Sequence, residues 1–356
     1  MKPVFYIFGM LCIYLLLWGT EATAQETLPQ DRSAAVIFAY HRVGEDRFPN
    51  MNIRTEQFSA HIRELKDSTY NVMSLPDIVD ALRSGATLPE RTVALTFDGG
   101  YTSTLQNAVP EMLDAGIPFT LFVSTDYLSR DSSEYISWSN LKKLTKNKLV
   151  TIGLHPASYT HLAGAPAEDL RRHINNARSQ MRERLGIEPV LFAYPFGEYS
   201  TIFRDAVSDS GFTAAFGQQS GVAYAQQDRL AMPRFPMTES YGDLDRFRMA
   251  AAALPLPLND VQPQNPRIES TDPMIGFTVD TALQNTLGKI SCFASGQEQP
   301  PKLEHIGNGR MELRLVDTLE EEKVRINCTM PGPPDITDEQ PRWRWFGMLM
   351  TVAAIH

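Results

Sequence analysis

The residues of this chain that could do chemistry are a carboxylate and two imidazoles that follow short apolar segments. Asp98 ends the apolar run 93–97 and precedes two glycines, and His155 and His161 follow the segment 149–153. Two imidazoles and a carboxylate can hold a zinc ion with one position open for water. Such an ion lets its water attack a carbonyl carbon near neutral pH. Alternatively, an Asp before Gly is typical of a turn or a helix cap.

The elements that position these residues alternate along the chain. Short apolar runs predict strands at 35–40, 90–97, 118–123, 149–153 and 190–193. Apolar residues at helical spacing predict helices at 55–65, 76–82, 103–115, 138–144, 167–185 and 202–210. This α/β alternation predicts parallel strands joined by right-handed crossovers. Because the candidate site residues follow several different strands, we expect an eight-fold or incomplete barrel rather than an open sheet.

The start of the chain resembles an export signal. Residues 1–24 contain Lys2, an apolar run at 4–18 and the small-residue pattern Ala22-Thr23-Ala24, which predict a signal peptide and an exported mature chain. An uncleaved membrane anchor is the alternative, although the run is short for a span. The 356 residues carry a formal charge of −9 without basic runs, which argues against nucleic acid and anionic membranes as partners.

The composition changes after residue 254. Residues 255–273 are rich in proline and predict a linker. Short alternating segments beyond it predict a small all-β, Ig-like sandwich over 274–356, with strands at 275–279, 289–293, 311–316, 323–328 and 342–352.

Cysteines and tryptophans add two expectations for this second domain. Cys292 and Cys328 are an even pair in an exported protein and predict a disulfide, with buried reduced thiols as the alternative. Trp343 and Trp345 share one strand face, which we expect to be sandwich core rather than a sugar platform.

Several motifs between residues 34 and 254 resemble the polysaccharide deacetylase family of the NodB-homology type. The segments are Tyr40-His41-Arg42-Val43, Thr96-Phe97-Asp98-Gly99-Gly100-Tyr101, Gly116-Ile117-Pro118-Phe119-Thr120-Leu121-Phe122-Val123 and Phe192-Ala193-Tyr194-Pro195-Phe196-Gly197. The resemblance implies a distorted (β/α) barrel and a hydrolase that depends on a divalent metal, with zinc as the expected ion.

The site residues match the family motif only in part. The resemblance assigns the general base to Asp98 and one metal ligand to His155. Gly99 stands where the family has a second, metal-binding Asp, and Tyr159 stands where it has the second ligand His. The family Arg before proline, which steadies the base, is also missing, since Ala193 and Tyr194 occupy that region.

Two outcomes follow from these substitutions. The site could be rebuilt, with His161 as a second ligand and Asp98 as base or ligand, or the metal site could be lost and the groove kept for sugar binding. Arg234 is expected either to orient the catalytic carboxylate or to form a structural salt bridge. His41 lies either near the site floor or in the core. The substrate-binding candidates are Tyr101, Tyr194, Pro195, Phe196 and Gly197.

The leading hypothesis is an exported deacetylase-type hydrolase that removes acetyl groups from sugars of an envelope or extracellular polysaccharide. A catalytically silent glycan-binding protein is the second hypothesis, and a structural envelope protein is the third. The expected partner is a polysaccharide, with no nucleic acid and no stable membrane span in the mature chain. The sequence makes no prediction of the oligomeric state.

Overall fold

A computed structural model describes residues 27–130, 132–334 and 341–353 of the chain. The predicted signal peptide, residues 1–24, lies outside the described residues. Within the described part, no helix combines the length and the apolar character that crossing a membrane requires.

The part of the chain from residue 34 to residue 236 forms a curled sheet. Its strands are β1 (Ala34–Tyr40), β2 (Arg42–Val43), β3 (Asn52–Ile53), β4 (Asn71–Val72), β5 (Thr92–Asp98), β6 (Phe119–Val123), β7 (Val150–Leu154), β8 (Leu191–Ala193), β9 (Ala214–Phe216), β10 (Ala223–Tyr224) and β11 (Phe235–Pro236). The sheet order is β10-β1-β5-β6-β7-β8-β9, with β4 on β5, β11 on β1, and β2 paired separately with β3. The pairs from β1 to β9 are parallel, as the alternating sequence predicts.

Helices flank this sheet. They are α1 (Thr55–Asp67), α2 (Leu75–Ser84), α3 (Val109–Asp114), α4 (Thr125–Leu128), α5 (Trp138–Leu144), α6 (Ala167–Leu185), α7 (Thr201–Asp209) and α8 (Leu244–Ala251). The bounds of α5 and α6 agree with the prediction. The predicted helix at 103–115 is instead divided into a π-helical turn, Thr104–Ala108, and α3. Short 3-10 helices occur at Pro29–Ser33, Pro195–Gly197, Glu239–Tyr241 and Thr281–Lys289.

Helix α6 illustrates why these segments fold as they do. Its buried residues recur at spacings of three and four, so they form one stripe that packs on the barrel: Leu170, Ile174, Ala177 and Met181. The helix ends at Gly186, whose φ of 71° lies in the left-handed region that favours glycine.

The segment before β11 brings the two edges of the sheet together. Met232 bridges Phe216 of β9, and three residues later Phe235 pairs with Phe38 of β1. Residues 232–236 therefore lie between the first and last parallel strands, and the sheet curls into a distorted barrel. This confirms the predicted α/β fold class and places Arg234 in the closing segment.

The C-terminal residues form two further sheets. One contains β12 (Leu254–Pro255), β14 (Arg267–Ile268), β16 (Ser291–Ala294), β19 (Lys323–Pro334) and β20 (Pro341–Val352). The other contains β13 (Leu258–Gln262), β15 (Ile275–Val279), β17 (Lys302–Gly307) and β18 (Arg310–Arg314). Residues of both sheets share one hydrophobic cluster, as expected for two packed layers.

The structure differs from the prediction at the proposed linker, residues 255–273. Strands β13 and β14 fall inside this stretch and pair with β15 and β20. These strands are short and polar, and prolines separate them, so their sequence has the composition of a linker. Cys292 and Cys328 lie directly opposite each other on β16 and β19 and form the predicted disulfide.

Strand β20 of the C-terminal sheets also contacts the N-terminal part of the chain. Arg344 is fully buried and forms two hydrogen bonds with the Asp31 carboxylate, at 2.6 and 2.8 Å. Trp345 packs edge-on against Phe235 of the barrel, with ring centroids 5.2 Å apart. The expectation that this tryptophan lies in the sandwich core was therefore wrong, because its strand face is covered by the barrel instead.

Candidate functional site

The centre of the candidate site is a buried ion pair between Asp98 and Arg234. Asp98 is the last residue of β5, and both side chains are fully buried. Arg234 Nη1 donates to Asp98 Oδ1 and Nη2 donates to Oδ2, both at 2.7 Å, which is bidentate geometry. Arg234 Nε donates to the Gly217 carbonyl, and Nη1 also donates to Thr96 Oγ1. The guanidinium is thus held on three sides.

This pairing fixes the charge of the carboxylate. Burial alone raises the pKa of Asp98, but the charge of Arg234, aided by His155, outweighs the effect of burial. The pKa of Asp98 is therefore held well below its usual range. Because a general base works best when its pKa lies near the working pH, a carboxylate stabilised in this way is a weak base.

His155 follows β7 and faces this carboxylate. Its Nδ1 lies 2.7 Å from the Ala193 carbonyl and must donate to it, so the acceptor lone pair is on Nε2. That Nε2 is buried without a hydrogen-bond partner and lies 3.9 Å from Asp98 Oδ1. An imidazole that donates Nδ1–H to a carbonyl is oriented as metal-ligating histidines are.

His41 and Gln218 lie beside the same carboxylate. We call the group formed by Asp98, Arg234, His155, His41 and Gln218 the polar centre. Gln218 Nε2 lies 3.1 Å from both Asp98 Oδ2 and His41 Nε2. We call His41, His61 and His155 the buried histidines. Burial lowers the pKa of each to about 4, so all three are neutral at physiological pH. His61 lies apart from the polar centre, where it contacts Tyr40 and Gly242.

Gln218 was missed by the sequence analysis. It comes two residues after β9 ends, and the polar pair Gln218-Gln219 following a buried strand is the signal that could have identified it. The same rule of polar residues at strand ends had identified Asp98 and His155.

The position of the family's second Asp cannot hold a side chain in this conformation. Gly99 has a φ of 95°, and a Cβ atom there would lie 2.5 Å from the Tyr101 ring. Tyr101, predicted to bind substrate, is itself buried, and its ring packs under the Arg42 guanidinium at 3.8 Å. Burial raises the pKa of Tyr101, so its hydroxyl stays protonated.

The position of the family's second ligand His is filled by Tyr159. Its ring meets His155 edge-on, with centroids 4.8 Å apart, and contacts Phe196 at 4.7 Å. The Tyr159 hydroxyl accepts the Phe196 backbone N–H at 3.3 Å. Burial raises the pKa of Tyr159 well above its ordinary value. A protonated, buried phenol covers the side of His155 where a second imidazole would stand.

His161 belongs to a different cluster. Its Nδ1 lies 2.7 Å from Glu198 Oε2, and its ring stacks on Phe196 with centroids 4.2 Å apart. Glu198 also pairs with Lys323 of β19 at 2.6 Å. The His161 side chain is 71% exposed, whereas Asp98 and His155 are fully buried. The structure therefore does not bring His161 to the polar centre.

Of the remaining predicted substrate-binding residues, three are buried and one, Phe196, is half-buried. Tyr194 and Pro195 are buried, and the Tyr194 hydroxyl donates to the Leu230 carbonyl inside the barrel. Gly197 has a φ of 73°, and a Cβ atom there would overlap the backbone nitrogen of Gln218, so glycine is required for this close approach. Phe196 is half-buried and lies between Tyr159 and His161 at the rim.

These residues do not fit the metal ion that the fold family implies. A zinc site with an open position needs three protein ligands, whereas the imidazole nitrogens of this site that lack a partner are two, His155 Nε2 and His41 Nδ1. Asp98 is engaged by Arg234, and position 99 has no side chain. Within the described ranges, no group of three or more His, Cys, Asp or Glu side chains could hold a metal.

The fold and the strand-end site define the N-terminal unit as a distorted (β/α) barrel with a buried polar site at the ends of its strands. The family model for polysaccharide deacetylase matches residues 85–215. The poly-beta-1,6-N-acetyl-D-glucosamine N-deacetylase of Escherichia coli (strain K12) is 25% identical over 244 residues, which cover 56% of this chain and 36% of that protein. The protein of the same name from Staphylococcus aureus (strain N315) is 21% identical over 246 residues, covering 62% and 84%.

Solved structures agree on the fold. IcaB from Ammonifex degensii superposes with a TM-score of 0.55 at 21% sequence identity, covering 62% of this chain and 97% of that one. The barrel of this chain is therefore similar to polysaccharide deacetylases, in sequence over residues 85–215 and in fold. The chain spans only about a third of the Escherichia coli relative.

Proposed function

We propose that this protein recognises an acetylated amino-sugar polysaccharide outside the cytoplasm and binds it without metal-dependent deacetylation. The polymer class is supported by the relatives, which are named for a β-1,6-linked N-acetylglucosamine polymer. Those names favour hydrolysis, whereas the geometry of the site favours binding. Export is supported by the predicted signal peptide and by the disulfide, since disulfides persist in oxidising compartments.

The observation that carries the proposal is the filling of both missing ligand positions by tyrosine rings. Tyr101 occupies the space beside Gly99, and Tyr159 packs against His155. Zinc affinity depends on ligand number and geometry, so one imidazole is insufficient for a catalytic site. The groups left at the centre are poor bases, because Asp98 is neutralised by Arg234 and burial lowers the pKa of His41 and His155 to about 4.

The rim above this centre offers a surface for a sugar. Phe196 and His161 form a stacked pair, and Lys323 lies 5.4 Å from the Phe196 ring. Aromatic faces provide apolar contact area, and buried Glu198 holds His161 and Lys323 in place beside them. We therefore place the polysaccharide contact at the rim formed by His161, Phe196, Glu198 and Lys323.

Hydrolysis of the acetyl groups is the second candidate function. One observation favours it in addition to the relatives' names: His155 keeps the orientation of a metal ligand, with its Nε2 unpartnered. This candidate predicts acetate release, which the binding proposal does not.

The test uses the full chain and a pentamer of β-1,6-linked N-acetylglucosamine. Binding is measured by titration calorimetry, and acetate release is measured in the same mixture with zinc added. We expect binding without acetate above the buffer blank. His161→Ala should weaken binding about fivefold through the loss of one stacked contact. His305→Ala removes an exposed histidine of β17 and serves as the matched control.

The outcomes separate the hypotheses. Acetate release that disappears in His155→Ala establishes the hydrolase and overturns the binding proposal. Neither binding nor release overturns both and favours the structural envelope protein. Equal weakening by His161→Ala and His305→Ala contradicts the location at the rim.

A further inference from the structure

A second candidate site lies where the outer face of the C-terminal sheet meets helix α8. A pocket of about 400 Å³ opens there, a volume sufficient for a small ligand. We call it the junction pocket and define it by the residues used below: Tyr241, Arg246, Phe293, Arg325, Asn327 and Trp345. It is distinct from the polar centre around Asp98, and the inference does not rest on the proposed function.

The sheet strands present alternate residues to this pocket. Along β19, Val324, Ile326 and Cys328 are buried in the core, so Arg325 and Asn327 project from the other face. Phe293 of β16 lies directly opposite Asn327 and shares that face.

The polar groups of the junction pocket are donors. Asn327 Oδ1 accepts the indole N–H of Trp345 at 3.0 Å, which leaves the Asn327 amide N–H groups available. Arg246 Nη1 is buried without a hydrogen-bond partner, and the Arg246 guanidinium lies 4.7 Å from the Tyr241 ring centroid. Burial lowers the pKa of Arg246, and no carboxylate opposes that effect. Arg325 adds a second guanidinium.

Acidic residues are missing from the described lining of the pocket, which includes both arginines but no Asp or Glu. The chain as a whole carries a formal charge of −9, so a pocket with two guanidinium groups and no carboxylate departs from its surroundings. Guanidinium groups bind carboxylates in bidentate geometry, and an unpaired buried guanidinium N–H is costly to leave unsatisfied.

Apolar surface completes the pocket. Phe293 is 56% exposed and Tyr241 is 47% exposed, although side chains of this size are usually covered. Trp345 supplies a third ring. Rings beside charged donors suit a ligand that has an apolar ring face and an anionic substituent.

We propose that the junction pocket binds an acidic sugar, with its carboxylate on Arg246 and Arg325 and its ring against Phe293 and Tyr241. The probe is tetragalacturonate, and the matched neutral ligand is the same tetrasaccharide with all carboxylates methyl-esterified. The neutral ligand should bind at least about tenfold more weakly, because charged hydrogen bonds are lost.

Variants locate the binding. Arg246→Gln and Arg325→Gln should each weaken tetragalacturonate binding at least about tenfold. Arg248→Gln is the matched control on the same helix, because Arg248 pairs with Glu64 outside the pocket; it should change binding less than about twofold. Phe293→Ala alters an exposed side chain and should weaken binding about fivefold without unfolding the domain.

Calorimetric titration of the full chain gives the decision, with thermal melting as the folding check. Absence of tetragalacturonate binding overturns the proposal, as does equal affinity for the methyl ester or equal weakening by Arg248→Gln. Displacement of the tetrasaccharide by an equal concentration of phosphate overturns the sugar part and shows a simple anion site. If Arg246→Gln fails to fold, Arg325→Gln and Phe293→Ala decide the outcome.

Discussion

Replacing Arg234 by methionine should leave Asp98 as an unpaired carboxylate in the centre of the barrel. Both side chains are fully buried, and Arg234 makes both hydrogen bonds of 2.7 Å to the carboxylate. Removing one partner of such a pair is strongly destabilising, because the other charge cannot regain its hydration. In this variant we expect Asp98 to bind a proton, because the neutral carboxyl group avoids burying an unpaired charge.

The free energy needed to keep Asp98 protonated determines how much stability the variant loses. An unfolded Asp has a pKa of about 3.9, so keeping it neutral at pH 7 costs about 4 kcal/mol, and this falls by about 1.4 kcal/mol for each unit of pH. In the native protein the pKa of Asp98 is depressed, so its contribution to stability is present above the unfolded pKa and is constant between pH 7 and pH 5. In Arg234→Met the pKa is raised, so the stability contribution is lost as pH rises.

Urea unfolding of both proteins at pH 7 and pH 5 measures this difference. The variant should be less stable than the native protein by about 4 kcal/mol at pH 7, and the gap should narrow by about 2.7 kcal/mol at pH 5. The double variant Asp98→Asn, Arg234→Met carries neither charge, so its gap should not depend on pH. A gap for Arg234→Met that is the same at both pH values would refute the reasoning.

Three further predictions concern stability. The free energy of unfolding should fall by about 2 kcal/mol per buried histidine between pH 7 and pH 5. The folded pKa of these histidines, about 4, is below the unfolded value, so the unfolded chain takes up more protons as pH falls. A free energy of unfolding, measured with urea, that does not change between pH 7 and pH 5 would contradict this. Gly347→Ala should lower stability by about 1–3 kcal/mol, since a Cβ atom there would overlap the Ser220 carbonyl, whereas Gly288→Ala has open space and should match the native melting temperature. Reduction should lower stability by about 2–4 kcal/mol and expose Cys292 and Cys328 to alkylation; labelling of either of these two residues before reduction would contradict the disulfide.

The spacing of apolar residues predicted much of the fold, because a helix or strand that buries one face places apolar residues at regular intervals along the sequence. Helices α5 and α6 begin and end where apolar periodicity placed them. The meeting of Asp98 and His155 also follows from sequence, since the carboxyl ends of parallel strands share one edge of the sheet.

The sequence indicated Arg234 as a candidate to orient Asp98, but it could not show how the partners of these residues are brought together. Arg234 lies 136 residues from Asp98, and nothing local indicates that its segment closes the barrel. Lys323 reaches Glu198 from the C-terminal unit, and Glu198 is also the partner of His161, outside the polar centre. The ring of Tyr101 beside Gly99 depends on backbone and side-chain torsion angles that residue types do not specify.

The central claim is that the deacetylase-type metal site has been lost, and zinc content tests it most directly. The full chain is purified without chelators, equilibrated with excess zinc, dialysed and analysed for metal by mass spectrometry, with His155→Ala in parallel. We predict far less than one zinc per chain and no difference between the two proteins, because one imidazole cannot hold the ion. One zinc per chain that disappears in His155→Ala would contradict the account.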